Sequence, residues 1–221
     1  MGFIINTLSI AALASATSLA SAGVAYSFET DSQGWSIAND GTGFTWDDTI
    51  GNNGLGAIRA RDQVGGNIWL YSAPTEDLGN LSGLYGNTIS YDILGITGSH
   101  DNLGGGERAD IILTGAGMSI GFNAGTQPVN GQWTSASALV SVVAENWRFI
   151  DSFSDATLSG EYANESEIQS ILADLTGLYI RGEYTNGGDA TALDNVDFVP
   201  SPGALTLLGL GTLTAVRRRR A

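Results

Sequence analysis

The sequence predicts an all-β fold of many short strands with one short α-helix. Of its 221 residues, 31 are glycine and only 4 are proline, a composition that suits many short strands joined by tight turns. In Thr88–Leu94 apolar and polar residues alternate, and this period of two indicates a half-buried strand. One stretch, Glu165–Leu175, has the apolar spacing of a helix.

The remaining strands are predicted from short apolar or alternating runs that are bounded by Gly, Asn and Asp turn signals. Ala73-Pro74 ends one run because proline cannot donate a hydrogen bond to a neighbouring strand. The acid-rich stretch Asp151–Glu161 is predicted to be a loop. The predicted strands are Val24–Phe28, Phe44–Trp46, Ala57–Ala60, Ile68–Tyr71, Thr88–Leu94, Asp110–Thr114, Met118–Phe122, Trp133–Val143, Gly177–Tyr184 and Thr191–Phe198. The apolar residues expected in the core include Trp69, Tyr91, Ile111, Ile120, Ile180 and Val196.

The helix carries its own start signal and a single apolar stripe. Asn164 is a favourable N-cap, and Glu167 three residues later completes a capping box. Residues at i, i+3, i+4 and i+7 lie on one side of a helix. The stripe expected to pack against the sheets consists of Ile168, Ile171, Leu172 and Leu175.

The charge of the chain limits its partners. The sequence has 23 acidic and 9 basic residues. Four of the nine are Arg217, Arg218, Arg219 and Arg220, so the preceding body has five arginines and a net charge of −18. Such a body is repelled by phosphate backbones and anionic lipids, which excludes nucleic acid as a partner. The acidity indicates solubility outside the cell or, as the alternative, a setting rich in divalent cations.

Residues 1–22 predict a secretory signal peptide. The run from Ile4 to Leu19 consists mostly of apolar and small residues, and Ala20-Ser21-Ala22 fits a cleavage site before Gly23. The alternative is a mature transmembrane helix, which the Asn, Ser and Thr residues within the run disfavour. With no cysteine in the chain, a disulfide framework and a thiolate metal site are both excluded.

Residues 67–94 contain, in order, Trp69, Leu78-Gly79-Asn80 and Tyr85-Gly86. This order resembles the opening of the laminin IV type A domain, also called laminin domain B. The most specific similarity is Leu172–Tyr184, with the sequence LADLTGLYIRGEY. The resemblance implies that residues 23–198 form an exported binding or structural module, whose ligand is a glycan or an envelope protein.

The first predicted strand leads into Phe28-Glu29, Asp31 and Gly34-Trp35. This order resembles the entry strand and first turn of jelly-roll carbohydrate-binding modules, which implies that the strands form a two-sheet jelly-roll β-sandwich. Such modules place a Ca²⁺ ion between the last strand and the first turn. In the strand Leu193–Phe198, Val196 and Phe198 share a face with Asp194. If that face is the core, Asp194 points inward, where a carboxylate needs a partner or a cation. The resemblance therefore implies a calcium site made by Glu29, Asp31 and Asp194, with oxygen ligands that suit this ion. The alternative is that Asp194 accepts backbone N–H groups or pairs with an arginine.

No motif in the sequence predicts catalysis. The only histidine, His100, lies in a Gly- and Asp-rich loop without a nucleophile-elbow pattern. Two suitably spaced carboxylates could arise by chance among 23 acids, so their number is no sign of a glycosidase. We expect a non-catalytic protein, and a polysaccharide-acting hydrolase or lyase on the same fold is the alternative.

Residues 199–221 form a separate segment at the C-terminus. Val199-Pro200-Ser201-Pro202 precedes the apolar run Ala204–Val216 and the four terminal arginines. This order resembles the PEP-CTERM sorting signal, which implies an exosortase-type processing enzyme as partner. The apolar run would span about 20 Å as a helix, less than the ~30 Å hydrocarbon core of a bilayer. We expect transient anchoring at the cell surface through this segment, followed by cleavage, and a permanent tail anchor is the alternative.

Overall fold

The computed structural model of the chain describes residues 24–62, 66–98, 107–142, 146–185 and 187–198. In these ranges the chain forms two antiparallel sheets and one α-helix, which confirms the predicted sandwich. The strands of the six-stranded sheet are β1 (Val24–Tyr26), β3 (Thr42–Asp47), β4 (Ala57–Arg61), β6 (Thr88–Thr97), β9 (Trp133–Leu139) and β13 (Ala190–Phe198). Those of the seven-stranded sheet are β2 (Ser36–Ala38), β5 (Leu70–Ser72), β7 (Ile111–Gly115), β8 (Met118–Phe122), β10 (Trp147–Ser152), β11 (Thr157–Tyr162) and β12 (Leu175–Arg181).

The strand order explains where the core lies. The six-stranded sheet runs β3-β4-β13-β6-β9, with β1 also paired to β13, and the seven-stranded sheet runs β11-β10-β8-β7-β12-β5-β2. Alternate residues of both sheets meet in one large apolar cluster between them. The core residues predicted from the sequence are all at most 1 % exposed, as expected: Trp69, Tyr91, Ile111, Ile120, Ile180 and Val196.

The helix α1 (Glu165–Ala173) packs against β7 and β8 of the seven-stranded sheet. The capping box is confirmed: the Glu167 N–H donates to Asn164 Oδ1, and the Asn164 N–H donates to Glu167 Oε2. Its apolar stripe joins the main core through Ile168, Ile171 and Leu172. The predicted end at Leu175 is wrong, because Asp174 leaves helical geometry (φ −142°) and Leu175 begins β12.

The prediction of a loop over Asp151–Glu161 is also wrong, because these residues belong mainly to the hairpin β10–β11. The turn of this hairpin is fixed by its own side chains, with Ser152 Oγ donating to Asp155 Oδ2 at 2.8 Å. Leu158 of β11 is 8 % exposed and lies in a second apolar cluster. That long-range contact stabilises a strand in the stretch that the sequence predicts to be a loop.

The second cluster covers the outer side of the seven-stranded sheet. Leu70 and Ile112 point away from the main core, yet both are fully buried. The hairpin turn lies over them: the Ile68 N–H donates to Ser154 O at 2.7 Å, and Phe153 stacks edge-to-face on Tyr179 at 5.0 Å. The seven-stranded sheet is therefore buried on both sides in this region. The cluster consists of Ile68, Leu70, Ala109, Ile112, Ala156 and Leu158.

A buried ion pair joins Arg181, in the family-like segment Leu172–Tyr184, to Asp110. Arg181 Nη2 lies 2.6 Å from Asp110 Oδ1, and the guanidinium stacks 4.1 Å above the ring of Tyr184. Burial raises the pKa of Asp110, and the charge of Arg181 opposes that rise. Removing one partner of such a pair leaves a buried charge and costs about 3–5 kcal/mol. The pair thus has a structural role beneath the surface.

Glu183 gives the fold a testable pH dependence. The side chain is 3 % exposed and accepts the Trp69 N–H at 3.3 Å. Burial, together with the charges of Asp62, Asp189 and Asp40, raises its pKa from 4.5 to about 8. When the pKa of a carboxyl group is higher in the folded than in the unfolded protein, the free energy of unfolding falls as the pH rises from the unfolded pKa to the folded pKa. Stability should therefore fall between about pH 4.5 and pH 8 on account of this residue.

We expect Glu183→Gln to remove much of this fall, because glutamine keeps an acceptor oxygen for Trp69 and carries no charge. Thermal melts at pH 5 and pH 9 measure the effect: the variant should melt several degrees above wild type at pH 9 and close to it at pH 5. Glu161→Gln, at an exposed position of β11, is the control and should follow wild type. Parallel curves for wild type and Glu183→Gln would contradict this prediction.

Candidate functional site

The outer side of the six-stranded sheet presents a row of residues across five strands. In register, Thr45 lies opposite Arg59 and Arg59 opposite Ala192. Ala192 in turn lies opposite Leu94, which lies opposite Trp133. We call this surface the open face and define it by Thr45, Arg59, Arg61, Leu94, Ile96, Trp133, Ala190 and Ala192.

Alternation along β4 places its two arginines on the open face. Ile58 and Ala60 enter the core, so Arg59 and Arg61 point outward and are exposed. Trp133 and Leu94 are half-buried, and neither packs against the main core. The open face therefore combines cationic donors at one side with an aromatic residue at the other.

A pocket of about 300 Å³ lies at the arginine side of the open face. Gly43, at φ +61°, lets β3 bend there, and a Cβ at this position would lie 3.3 Å from Arg61 Nε. Arg59 is 45 % exposed and pairs through Nε with Asp47 at 3.1 Å. The pocket is lined by Gly43, Thr45, Arg59, Ala60, Arg61, Ile96 and Ala190.

Sequence reasoning missed the binding potential of Arg59, Arg61 and Trp133. A signal was present, because Ala57–Arg61 alternates and leaves both arginines on its polar side. The pattern does not show which sheet the other described residues leave uncovered on its outer side. That depends on the hairpin turn that packs over the other sheet.

A β-bulge in β13 determines the position of Asp194. Asn195 has a φ of +48°, and the pairing with β6 shifts directly after Asp194. The prediction that Asp194 shares a face with Val196 and Phe198 is therefore wrong. Those two lie in the core, whereas Asp194 lies opposite Asp92 on the outer side of the sheet.

Asp92 and Asp194 form one hydrogen-bond network with the loop before β4. Asp92 Oδ2 accepts from the side-chain amides of Asn52 at 2.7 Å and Asn195 at 2.8 Å, and Asp92 Oδ1 accepts from Ser135 Oγ. Asp194 accepts the backbone N–H groups of Asn52 at 2.8 Å and Asn195 at 2.7 Å. Burial raises the pKa of Asp194, and the charges of Asp92 and Glu29 raise it further. Asp194 thus accepts backbone N–H groups, one of the two alternatives for this residue.

The structure relates two of the three predicted calcium ligands. Glu29 is close enough to Asp194 for its charge to raise the pKa of that residue. Asp31 is exposed, and its Oδ1 accepts the N–H of Gln33 at 2.7 Å. In the part of the chain that the structure describes, no group of three or more His, Cys, Asp or Glu side chains is placed to hold a metal ion. Calcium at Glu29, Asp31 and Asp194 stays a prediction that further oxygen ligands would have to complete.

Several predicted features lie outside the described residues. Within the described ranges, no helix is long and apolar enough to cross a membrane. The sole histidine, His100, and the processing residues at both ends fall outside those ranges: Ala22, Gly23, Val199, Pro200, Pro202, Arg217, Arg218, Arg219 and Arg220.

A second pocket, of about 280 Å³, lies beside the exposed ring of Tyr162 at the edge of the seven-stranded sheet. Its floor includes Trp147, which is 1 % exposed and donates its indole N–H to Leu139 O. This pocket has an aromatic wall and no charged lining residue among those described. It provides a matched comparison for the open face.

The family model of laminin B (domain IV) matches residues 70–201. An exo-beta-agarase structure has a TM-score of 0.54 and 12 % identity over 82 % of this chain, which covers 26 % of that structure. The L4b domain of human laminin alpha-2 has a TM-score of 0.49 and 17 % identity, with 60 % of this chain and 70 % of that chain covered. The CBM22-1 xylan-binding domain of Paenibacillus barcinonensis Xyn10C has a TM-score of 0.49 and 14 % identity, covering 84 % and 99 %. No curated protein matches the chain.

The calcium prediction can be tested by thermal unfolding. If Ca²⁺ binds the native state, millimolar Ca²⁺ should raise the melting temperature by mass action, and Asp194→Asn should abolish that rise. Asp151→Asn, an exposed position on β10, should leave it unchanged. A wild-type melting temperature that is equal in Ca²⁺ and in chelator would contradict the prediction.

Proposed function

This chain belongs to the laminin B (domain IV) family, and we propose that it is an exported, non-catalytic module that binds a glycan across its open face. The proposal includes sorting by an exosortase-type enzyme and a place in the cell envelope or its exopolysaccharide matrix. A protein ligand from the envelope is the competing partner.

The observation that carries the proposal is the difference between the two outer sides of the sandwich. The outer side of the seven-stranded sheet carries its own buried apolar cluster beneath the hairpin turn. The open face instead presents half-buried apolar side chains at Leu94 and Trp133 beside exposed polar ones at Thr45 and Arg59. A largely apolar surface with a few convergent polar groups is what a small-molecule or oligosaccharide site requires.

The shape of the open face suits an extended sugar chain. The centre of the row is Ala192, which is fully buried, and Ala190 on the same strand is half-buried, so small side chains separate the arginines from Trp133. Pyranose rings have an apolar side that packs on an aromatic ring, while their hydroxyl groups accept hydrogen bonds from guanidinium donors. Five strands at about 4.8 Å spacing give the row a length of roughly 20 Å, enough for several sugar residues.

The enzyme alternative has one specific observation in its favour. Asp92 and Asp194 lie opposite each other on neighbouring strands, and a pair of carboxylates is what glycoside hydrolysis uses. However, they are only 9 % and 3 % exposed, and Asn52, Asn195 and Ser135 hydrogen-bond to them. This burial favours a structural role, and we keep a hydrolase or lyase as the alternative.

Binding of the exported protein to a panel of immobilised glycans tests the proposed function. We expect Trp133→Ala to weaken the observed binding by about tenfold, or 1.4 kcal/mol, because it removes the aromatic packing surface. Tyr162→Ala removes the exposed aromatic residue of the other sheet and is the matched control. Loss of binding in Tyr162→Ala but not in Trp133→Ala would contradict the open face as the site. Release of new reducing ends by wild type, and its loss in Asp92→Asn, would support the enzyme alternative.

The sorting part of the proposal predicts a truncated mature protein. The four terminal arginines should hold the tail at the cytoplasmic side, since each costs about 2.5–3.5 kcal/mol to move to the bilayer centre. The segment Val199–Pro202 would then lie just outside the membrane, where its prolines keep it extended for a protease. Intact-mass measurement of the exported protein should show a chain that begins at Gly23 and ends near Pro202. A wild-type mass that includes Arg217–Ala221 would show a tail anchor instead.

A further inference from the structure

The arginines of the body are not distributed evenly. Three of the five hold parts of the fold away from the open face: Arg181 pairs with the buried Asp110, Arg148 pairs with Glu107, and Arg108 donates to the backbone oxygen of Asp155. The other two, Arg59 and Arg61, also have partners within the protein, Asp47 in the case of Arg59, and both line the open-face pocket. Two of the five positive side chains in a body of net charge −18 therefore meet at one pocket.

The strand geometry holds these two guanidinium groups on the same side. Arg59 and Arg61 are two residues apart in β4, so their side chains point in the same direction. Among the described residues that line the pocket, none is acidic. The nearby Asp47 pairs with Arg59 through Nε, which is one of five N–H donors on a guanidinium.

A neutral sugar ligand would not require two arginines in the pocket. Hydroxyl groups can be bound by amides and hydroxyls, whereas a guanidinium provides a fork that matches the two oxygens of a carboxylate or sulfate. The residues beside the guanidinium groups are small or uncharged, at Gly43, Thr45 and Ala190. An anionic group that enters the pocket therefore meets small or uncharged side chains there, and Asp47 is the carboxylate that lies beside Arg59.

The acidity of the body does not prevent such binding at ordinary salt. At about 0.15 M ionic strength the Debye length is ~8 Å, so repulsion from distant carboxylates is largely screened. Contacts inside the pocket are screened much less, and a hydrogen bond to a charged group is stronger than one between neutral groups. For a short oligosaccharide, attraction within the pocket therefore outweighs repulsion from the distant carboxylates.

We propose that the ligand of the open face is an acidic glycan, whose carboxylate or sulfate groups bind Arg59 and Arg61 while its sugar rings pack toward Trp133. This inference rests on the proposed function and specifies its ligand class. The two guanidinium groups favour ligands with negative charge. The small residues Gly43 and Ala190 leave room in the pocket for the carboxylate or sulfate group.

The test compares oligosaccharides that differ in charge alone. The full exported protein is titrated at about 0.15 M salt with an oligogalacturonate and with the same oligomer after methyl esterification. A sulfated galactan oligosaccharide and its desulfated form distinguish sulfate from carboxylate. We expect one acidic member to bind at least about tenfold more tightly than its neutral counterpart.

Variants assign the preference to the pocket. Arg59→Gln and Arg61→Gln should each reduce binding of the acidic member by about tenfold and leave the neutral member nearly unchanged. Arg59→Lys keeps the charge and should lose less than Arg59→Gln. The control Arg148→Gln lies on the seven-stranded sheet and should bind like wild type, and equal melting temperatures show that the pocket variants remain folded.

The outcomes separate this inference from the proposed function. Equal or tighter binding of the neutral oligosaccharides overturns the inference and leaves glycan binding in place. An acidic preference that persists in Arg59→Gln and Arg61→Gln, or that disappears in Arg148→Gln, also overturns it. Failure of every acidic and neutral glycan to bind overturns both proposals.

Discussion

The six-stranded sheet depends on β13 and on the bulge within it. This strand pairs with β1, β4 and β6, so its register sets the positions of three neighbours. A regular strand would turn either Leu193 or the pair Val196 and Phe198 out of the core, because successive side chains alternate. The bulge at Asn195 keeps all three inside and leaves Asp194 on the outer side.

That position of Asp194 links the bulge to the open face. Asp194 and Asp92 together hold Asn52 by backbone and side-chain hydrogen bonds, which fixes the loop that leads into β4. From there the alternation of β4 directs Arg59 and Arg61 outward. A continuous set of contacts therefore connects Asn195, the positive-φ residue of β13, with Arg59 and Arg61 in β4. The seven-stranded sheet differs, because an apolar cluster and a hairpin turn cover its outer side.

Local periodicity made much of this fold predictable, and long-range contacts account for the rest. Met118–Phe122 was predicted with the bounds that it has, and the capping box at Asn164 could be identified because its signal is local. The hairpin β10–β11 was missed because its acidic composition resembles a loop, while Leu158 makes its stabilising contacts with residues distant in the sequence. The bulge rests on one residue, Asn195, a type that tolerates positive φ, and no alternation rule places it. The candidate site was missed for a third reason, since alternation exposes an arginine but does not show which sheet the rest of the described chain leaves uncovered.

The central claim is that the ligand lies across the open face, and the indole N–H signals of the tryptophans test it directly by NMR. Trp46, Trp69 and Trp147 donate their indole N–H groups to Phe28, Asp189 and Leu139, and Trp35 is 2 % exposed. Trp133 lies on the open face beside Leu94. Titration with the tightest-binding oligosaccharide should therefore shift the Trp133 indole signal far more than the other signals. A saturable shift at Trp147, which lines the pocket beside Tyr162, with Trp133 unchanged, would place the ligand on the other sheet and contradict the account.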